Sequence, residues 1–305
     1  MVKRRELSRN ARDNIDYYLL MAVPFVLIFI FSYLPLFGVV IAFQNYTPGK
    51  PFIGASTVWV GMKHFITFIK SYYFTRILRN TVVLNFMGLL MGFWVPVVFA
   101  LVVNEIPKRR YKNFIQTVSY MPNFISTVVV AGMVLTFIAN DGIITRLINA
   151  FGFNVKSLNA TASVFPWVYT LTNIWKSFGW SSILYLSTIT SIDPELYESA
   201  DIDGASRLGK IAHITFPMML PLVMIQLIFA VGNMLGSNTE MVLLLYNSAV
   251  YSTADVIGTY VYRDSLLGVK YSYGTASGLL LSVMSFVLVF GANAISRKTT
   301  NFSLW

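Results

Sequence analysis

Residues 195–217 read Glu-Leu-Tyr-Glu-Ser-Ala-Asp-Ile-Asp-Gly-Ala-Ser-Arg-Leu-Gly-Lys-Ile-Ala-His-Ile-Thr-Phe-Pro, a polar segment between two long apolar ones. Asp193 followed by Pro194 supplies an N-cap and a first-turn proline, and Gly204 supplies the left-handed position that ends a helix. The spacing predicts a helix over 194–203. A second helix is expected to begin near Ser206 and to close at Pro217, because an interior proline lacks a donor and clashes with the preceding turn. Residues 193–203 carry five acids, Asp193, Glu195, Glu198, Asp201 and Asp203, and no base. A helix lying on a bilayer would be rich in Lys and Arg on its polar face. This element therefore reads as a surface that docks a basic cleft of another protein.

Outward from this stretch the chain is apolar. Of its 305 residues 56% are hydrophobic and 12% charged, with a mean hydropathy of +0.63, whereas about a quarter of a soluble chain is charged. The expected fold is an all-α polytopic membrane protein. Apolar blocks cover 17–43, 81–104, 114–138, 163–190, 218–246 and 274–295, and each reaches the roughly 20 residues that cross a ~30 Å hydrocarbon layer. Six transmembrane helices are predicted. The first block is longer than the about 7–15 apolar residues of a cleavable signal, so it counts as a span.

Orientation follows from the basic residues. Lys3, Arg4, Arg5, Arg9 and Arg12 precede the first block, and Lys108, Arg109, Arg110 and Lys112 lie between the second and third. The positive-inside rule makes that side, and with it both termini and the 191–217 loop, cytoplasmic. Lys50, Lys63, Lys70, Arg76 and Arg79 crowd the first outer loop against this trend. The net charge of +10 is spread over membrane flanks, which fits topology and contact with anionic lipid rather than nucleic acid.

Several chemistries find no support. The chain has no cysteine, and its two histidines, His64 and His213, fall in different loops, so no metal site is expected. Gly204 to Lys210 nearly spells a phosphate-binding loop, but Ile211 replaces the required hydroxyl and no strand precedes it. The chain is expected to bind no nucleotide and no cofactor and to catalyse no reaction. Within the apolar blocks the ionisable groups, apart from tyrosines, are Lys176 and Glu240, which weakens an ion-coupled carrier.

Glu198-Ser199-Ala200, three residues, Gly204, nine residues, Ile214, one residue and Phe216-Pro217 resemble the EAA loop, E-A-A-x3-G-x9-I-x-L-P, of ABC importer permeases. The chain departs from that pattern at Ser199 and Phe216. Over its whole length it resembles the oligosaccharide and polysaccharide branch of carbohydrate permeases, related to the maltose importer. The stretches that carry this are Trp59-Val60-Gly61, Arg79-Asn80-Thr81, Tyr120-Met121-Pro122, Ile174-Trp175-Lys176, Gly179-Trp180, Asp193 to Tyr197 and Asp255-Val256-Ile257. The resemblance implies a type I ABC importer permease fold in a bacterial plasma membrane. Residues 1–75 would form the N-terminus, helix 1 and first outer loop, 76–296 the permease core, and 297–305 a cytoplasmic tail. It also implies a second homologous permease, two ATPase subunits holding ATP and Mg, a solute-binding protein outside the membrane, and an oligosaccharide substrate. Glu198, Ser199, Ala200, Asp203, Gly204, Ile214 and Pro217 would couple to the ATPase.

A polar uncharged solute needs amides, hydroxyls and aromatic faces, and such groups are costly in lipid. Asn123, Asn173, Ser177, Trp180 and Asn233 are therefore path candidates, with Asn173, Ser177 and Trp180 on one helix face. By the resemblance, Lys176 falls in the same region. It has two readings: attraction of an acidic sugar, or pairing with backbone carbonyls or a partner's acid. A polyol or glycerol phosphate is an alternative cargo. Trp59, Tyr72, Tyr73, Trp167, Tyr169 and Trp305 are expected as interfacial anchors, Gly232 and Gly236 as a close helix contact, and 252–268 as a short amphipathic helix receiving the binding protein.

Overall fold

A computed structural model describes residues 9–300 except 154, 156 and 237, together with 303 and 304. Where lipid offers no hydrogen bonds, backbone groups must be satisfied within the segment. The described residues are accordingly helical, with a single isolated bridge between Gln44 and Trp59 as their only strand-like pairing. The elements are α1 (Arg9–Ile28, continued by turns to Phe43), α2 (Lys63–Ile69), α3 (Phe74–Met87), α4 (Trp94–Asn104), α5 (Arg109–Phe124), α6 (Thr127–Phe137) and α7 (Ile143–Ala150). They continue as α8 (Phe165–Thr190), α9 (Pro194–Ile202), α10 (Arg207–Lys210), α11 (Phe216–Gly232), α12 (Thr239–Leu245), α13 (Tyr251–Ala254), α14 (Ile257–Val261) and α15 (Tyr271–Thr300).

Among the described residues four continuous helical segments are long and apolar enough to cross a membrane: Tyr17–Phe43, Phe74–Asn104, Arg207–Leu235 and Tyr271–Lys298. A fifth is the pair α5 and α6, bent by 98°. The 26 residues of α8 span roughly 39 Å at 1.5 Å per residue, enough for a crossing, but Asn173, Lys176, Ser177 and its threonines dilute its hydropathy.

Four expectations from the sequence change here. The helix expected at 81–104 starts at Phe74, so Arg76 and Arg79 lie on it. The block 114–138 is broken: Pro122 sits in the last turn of α5, Ile125 and Ser126 are extended, and the Ser126 side chain restarts the helix by accepting from the Val129 N–H. Pro217 does not close a helix. Between α10 and α11 a π turn at Ile211–Thr215 lets the Phe216 N–H bond the Ile211 carbonyl, five residues back. The widened turn gives the proline ring room that a regular α turn denies. The same device precedes Pro35, where Leu34 bonds Phe29, and Pro96, where Phe93 bonds Gly88. The second half of the 218–246 block also separates, as α12, after the chain leaves Leu235.

Packing fixes two ends of the bundle. Val97, Ala100 and Val103 of α4 meet Tyr185, Leu186 and Ile189 of α8 and Met219 and Val223 of α11, next to the 191–217 loop. Phe68, Ile77, Ile257, Tyr260 and Tyr273 form the opposite end. Ile77 and Val103 lie on the same helical segment, 26 residues and hence about 39 Å apart. Glycines set the closest approaches. A Cβ on Gly179 of α8 would fall 2.0 Å from the Ser119 carbonyl oxygen of α5, and one on Gly232 of α11 would fall 2.3 Å from Val289 of α15. Gly236 makes no such approach, since it lies beyond the end of the helix. The first span packs on α15 through Leu34–Phe43 and leaves residues 17–37 exposed.

Candidate functional site

The loop 191–217 is a rigid elbow. The Asp193 carboxylate accepts from the Glu195 N–H at 3.0 Å, and Pro194 occupies the first turn of α9. Gly204, at φ +74°, reverses the chain, and the Ala205 N–H returns to the Ala200 carbonyl. Ser206 then caps α10 through the Gly209 N–H. Two side-chain links tie the elbow to the membrane segment: the Tyr197 hydroxyl to the Thr215 hydroxyl at 2.9 Å, and Lys210 to Asp201 at 2.6 Å. Glu198, Ser199 and Asp203 are exposed, with Ser199 back-bonded to the Glu195 carbonyl; Ala200 and Ile214 are half-buried and Pro217 is exposed. Ile202 and Leu208, 87% and 77% exposed, flank the glycine and present apolar side chains at the tip. Such exposure has a cost unless a partner covers it. Sequence reading passed these two over, although two large aliphatics in an otherwise polar loop are a visible signal.

A second constellation lies where α5 breaks against α8. The last carbonyls of a helix have no intrahelical donor, and its C-terminus attracts positive charge. Lys176, half-buried, donates from Nζ to the Asn123 carbonyl at 3.2 Å, so the first partner of this lysine is backbone. Beside it the Trp180 ring meets Phe124 edge-on at 5.5 Å. One turn along, Asn173 donates to the Tyr169 carbonyl and accepts from the Asn238 side chain at 3.2 Å, while Ser177 donates to the Asn173 carbonyl. Lys176, Asn123, Trp180, Asn173 and Ser177 are thus brought together along α8. Asn233 is exposed at the C-terminal cap of α11 and joins none of these bonds. Tyr169, expected as an interfacial anchor, is instead buried, its hydroxyl accepting from the Asn238 N–H at 3.1 Å. Asn238, and the bond Tyr169 makes to it, were missed because the pairing spans 69 residues and leaves no local pattern. Trp305 lies outside the described residues.

At the end remote from the elbow, Asp255 is fully buried and holds three groups. Arg263 donates to both its oxygens at 3.1 and 3.0 Å, Arg76 to one at 3.3 Å, and the Thr259 hydroxyl to the other at 2.9 Å. Its hydrogen bonds to Asp255 make Arg263 hold its proton more tightly than an ordinary arginine does. Buried Asn80 donates to the Ser252 and Asp255 carbonyls, an interhelical tie. Because Asp255 takes an extended conformation here, 252–268 forms α13, α14 and a π turn rather than a single amphipathic helix.

Residues 85–301 match the model of the family described as binding-protein-dependent transport system inner membrane component. The chain belongs to this family. Among its relatives, LplB of Bacillus subtilis (strain 168) is 39% identical over 92% of this permease and 88% of its own length. The polygalacturonan/rhamnogalacturonan transport system permease YteP of the same organism is 38% identical over the same shares. A crystal structure of a bacterial ABC transporter involved in import of the acidic polysaccharide alginate contains a chain with TM-score 0.84 and 38% identity. That match covers 95% of this permease and 97% of the other chain. The alginate transporter in complex with its alginate pentasaccharide-bound periplasmic protein matches with TM-score 0.84, at 36% identity over 98% and 99%.

Proposed function

We propose that this permease is one membrane half of an ATP-driven importer that takes an oligosaccharide from an extracytoplasmic binding protein and passes it inward by alternating access. The observation that carries the reading is the near full-length likeness to a solved alginate importer at 38% identity. With α5–α6 and α8 counted among six crossings and with both termini cytoplasmic, the elbow would face two ATPase subunits. These would hold ATP and Mg, and this chain would need no cofactor. A second, homologous permease would complete the path. The exposed acid Glu198 and the apolar tip of Ile202 and Leu208 suit a partly basic, partly greasy cleft on the ATPase, and the Tyr197–Thr215 link would carry its motion into α11. The permeases for alginate and polygalacturonan among its relatives favour an acidic oligosaccharide as cargo. Asn173, Ser177, Trp180, Asn123 and Lys176 would line its route, with Lys176 bracing the broken end of α5.

The test is uptake by the reconstituted complex. Glu198→Ala should leave assembly intact and abolish coupling, so that ATP hydrolysis continues without sugar-dependent transport. Full transport by this variant would remove the elbow from the mechanism.

A further inference from the structure

We infer that a cleft at the end of the bundle remote from the elbow is a separate binding site for the carboxylates of an acidic oligosaccharide, built on Arg79 and Lys70 with Tyr72 and Tyr73 between them. The inference rests on the proposed import of acidic oligosaccharides. Two adjoining cavities make the cleft, one of about 410 Å³ reaching Arg76, Arg79 and Ser252, the other of about 830 Å³ reaching Lys63, Lys70 and Lys270 together with Asp264, the carboxylate paired with Lys270. Tyr72 and Tyr73 line both. These volumes lie in the range of small-molecule sites.

Charge gives the first argument. Residues 44–80 contain five lysines and arginines and no acid. On the outer side of the membrane this excess runs against the topological preference for basic residues inside, so topology does not account for it. Nor do internal ion pairs. Arg76 is matched by Asp255, and Lys270 by Asp264 at 3.6 Å. Arg79 donates only to neutral oxygens, the Ser252 carbonyl at 3.3 Å and the Asn80 amide at 3.4 Å. Among the described residues no carboxylate lies in ion-pair range of Arg79, Lys63 or Lys70.

Shape and stiffness give the second. Tyr72 is 90% exposed, and its ring meets that of Tyr73 edge-on at 5.4 Å. The Arg76 guanidinium lies 5.1 Å over the Tyr73 ring. Exposed aromatic faces between cations suit a pyranose whose C–H face packs on a ring while its carboxylate meets a guanidinium fork or an ammonium. Arg79 and Tyr72 stand on a wall that cannot easily move, because Asn80 and Arg76 bind it to Ser252 and to buried Asp255. The Lys63–Ile69 helix, anchored through buried Phe65 and Phe68, holds the other side.

The test uses the assembled complex in phosphatidylcholine nanodiscs without its binding protein, titrated calorimetrically with tetragalacturonate and with neutral maltotetraose. The uronate should bind the more tightly, with an affinity that falls as salt rises. Arg79→Gln combined with Lys70→Gln should weaken it about tenfold or more, as expected for losing charge-assisted hydrogen bonds. Tyr72→Ala should weaken it as well, with the complex still intact by size exclusion. Equal binding of the two sugars, or unchanged uronate affinity in these variants, overturns the site. So does a variant that loses only affinity for the binding protein, which would assign the cleft to protein docking. Uptake separates the two readings: a wild-type complex that imports only neutral sugars removes the proposed cargo, whereas acidic uptake with unchanged variants removes the cleft alone.

Discussion

Gly179→Ala tests the packing on which the α5–α8 constellation depends. The new methyl carbon would sit 2.0 Å from the Ser119 carbonyl oxygen and 2.5 Å from its carbon, both backbone atoms, where ordinary contact begins at 3.4 Å. The two helices must part by about 1.4 Å, because neither atom belongs to a side chain that can rotate away. Ser119 pairs with Gly179 as Asn123 pairs with Lys176 on the same antiparallel helices. The same displacement would stretch the 3.2 Å bond from Lys176 to the Asn123 carbonyl beyond useful range. Overpacking costs about 1–3 kcal/mol and loss of a charged hydrogen bond about 1.5–3, while alanine returns about 1 in helix propensity, leaving a net loss of about 1.5–5 kcal/mol. Gly278→Ala is the control, since a Cβ there meets nothing within 4 Å. Unfolding in mixed micelles titrated with SDS would give both values. A Gly179→Ala protein within about 0.5 kcal/mol of wild type, the range of ordinary surface changes, would refute the reasoning.

Lys176→Met removes the donor at the broken end of α5 and should cut sugar uptake strongly while ATPase activity persists, read by transport and phosphate release in the same vesicles. Asp255→Ala leaves Arg263 and Arg76 without their carboxylate. Since both guanidinia are about a third exposed, the loss should fall near the low end for broken buried pairs, about 3 kcal/mol, measured by the same SDS titration. Gly204→Ala places a side chain at φ +74° with no steric neighbour, so it should cost only the about 1–2 kcal/mol of the left-handed conformation. Stimulation of the ATPase by sugar-loaded binding protein should fall accordingly, and Gly204→Asn, which tolerates that region, should retain most of it.

The elbow is legible in the sequence because its determinants are local: Asp193, Pro194, Gly204 and Ser206 each act on the few residues beside them. The apolar runs likewise show where the long helices lie. Their interruptions are less visible. Pro122 breaks its span and Pro217 does not, and the difference is a π turn whose hydrogen bonds no hydropathy window registers. The spacing of Asn173, Ser177 and Trp180 on one face of α8 is readable in the sequence, but Asn238, which bonds both Asn173 and the Tyr169 hydroxyl, comes from a distant segment. The Asp255 cluster is of the same kind. An acid between two short helices looks solvated until the fold brings Arg76, 179 residues away, against it.

The π turn at Ile211–Thr215 also sets the clocking of the elbow. Each residue of an α-helix advances about 100° around the axis, and the wider turn accommodates one residue more than its α counterpart. The bearing of α9 and α10 relative to the membrane face of α11 is therefore a fixed one-residue phase offset. Deleting a single residue from this turn would leave every cap and every apolar contact of α11 chemically intact, yet swing Glu198 about a quarter-turn or more off its heading. A one-residue gap in this segment among related permeases would thus signify a reorientation of the elbow, not a neutral length change.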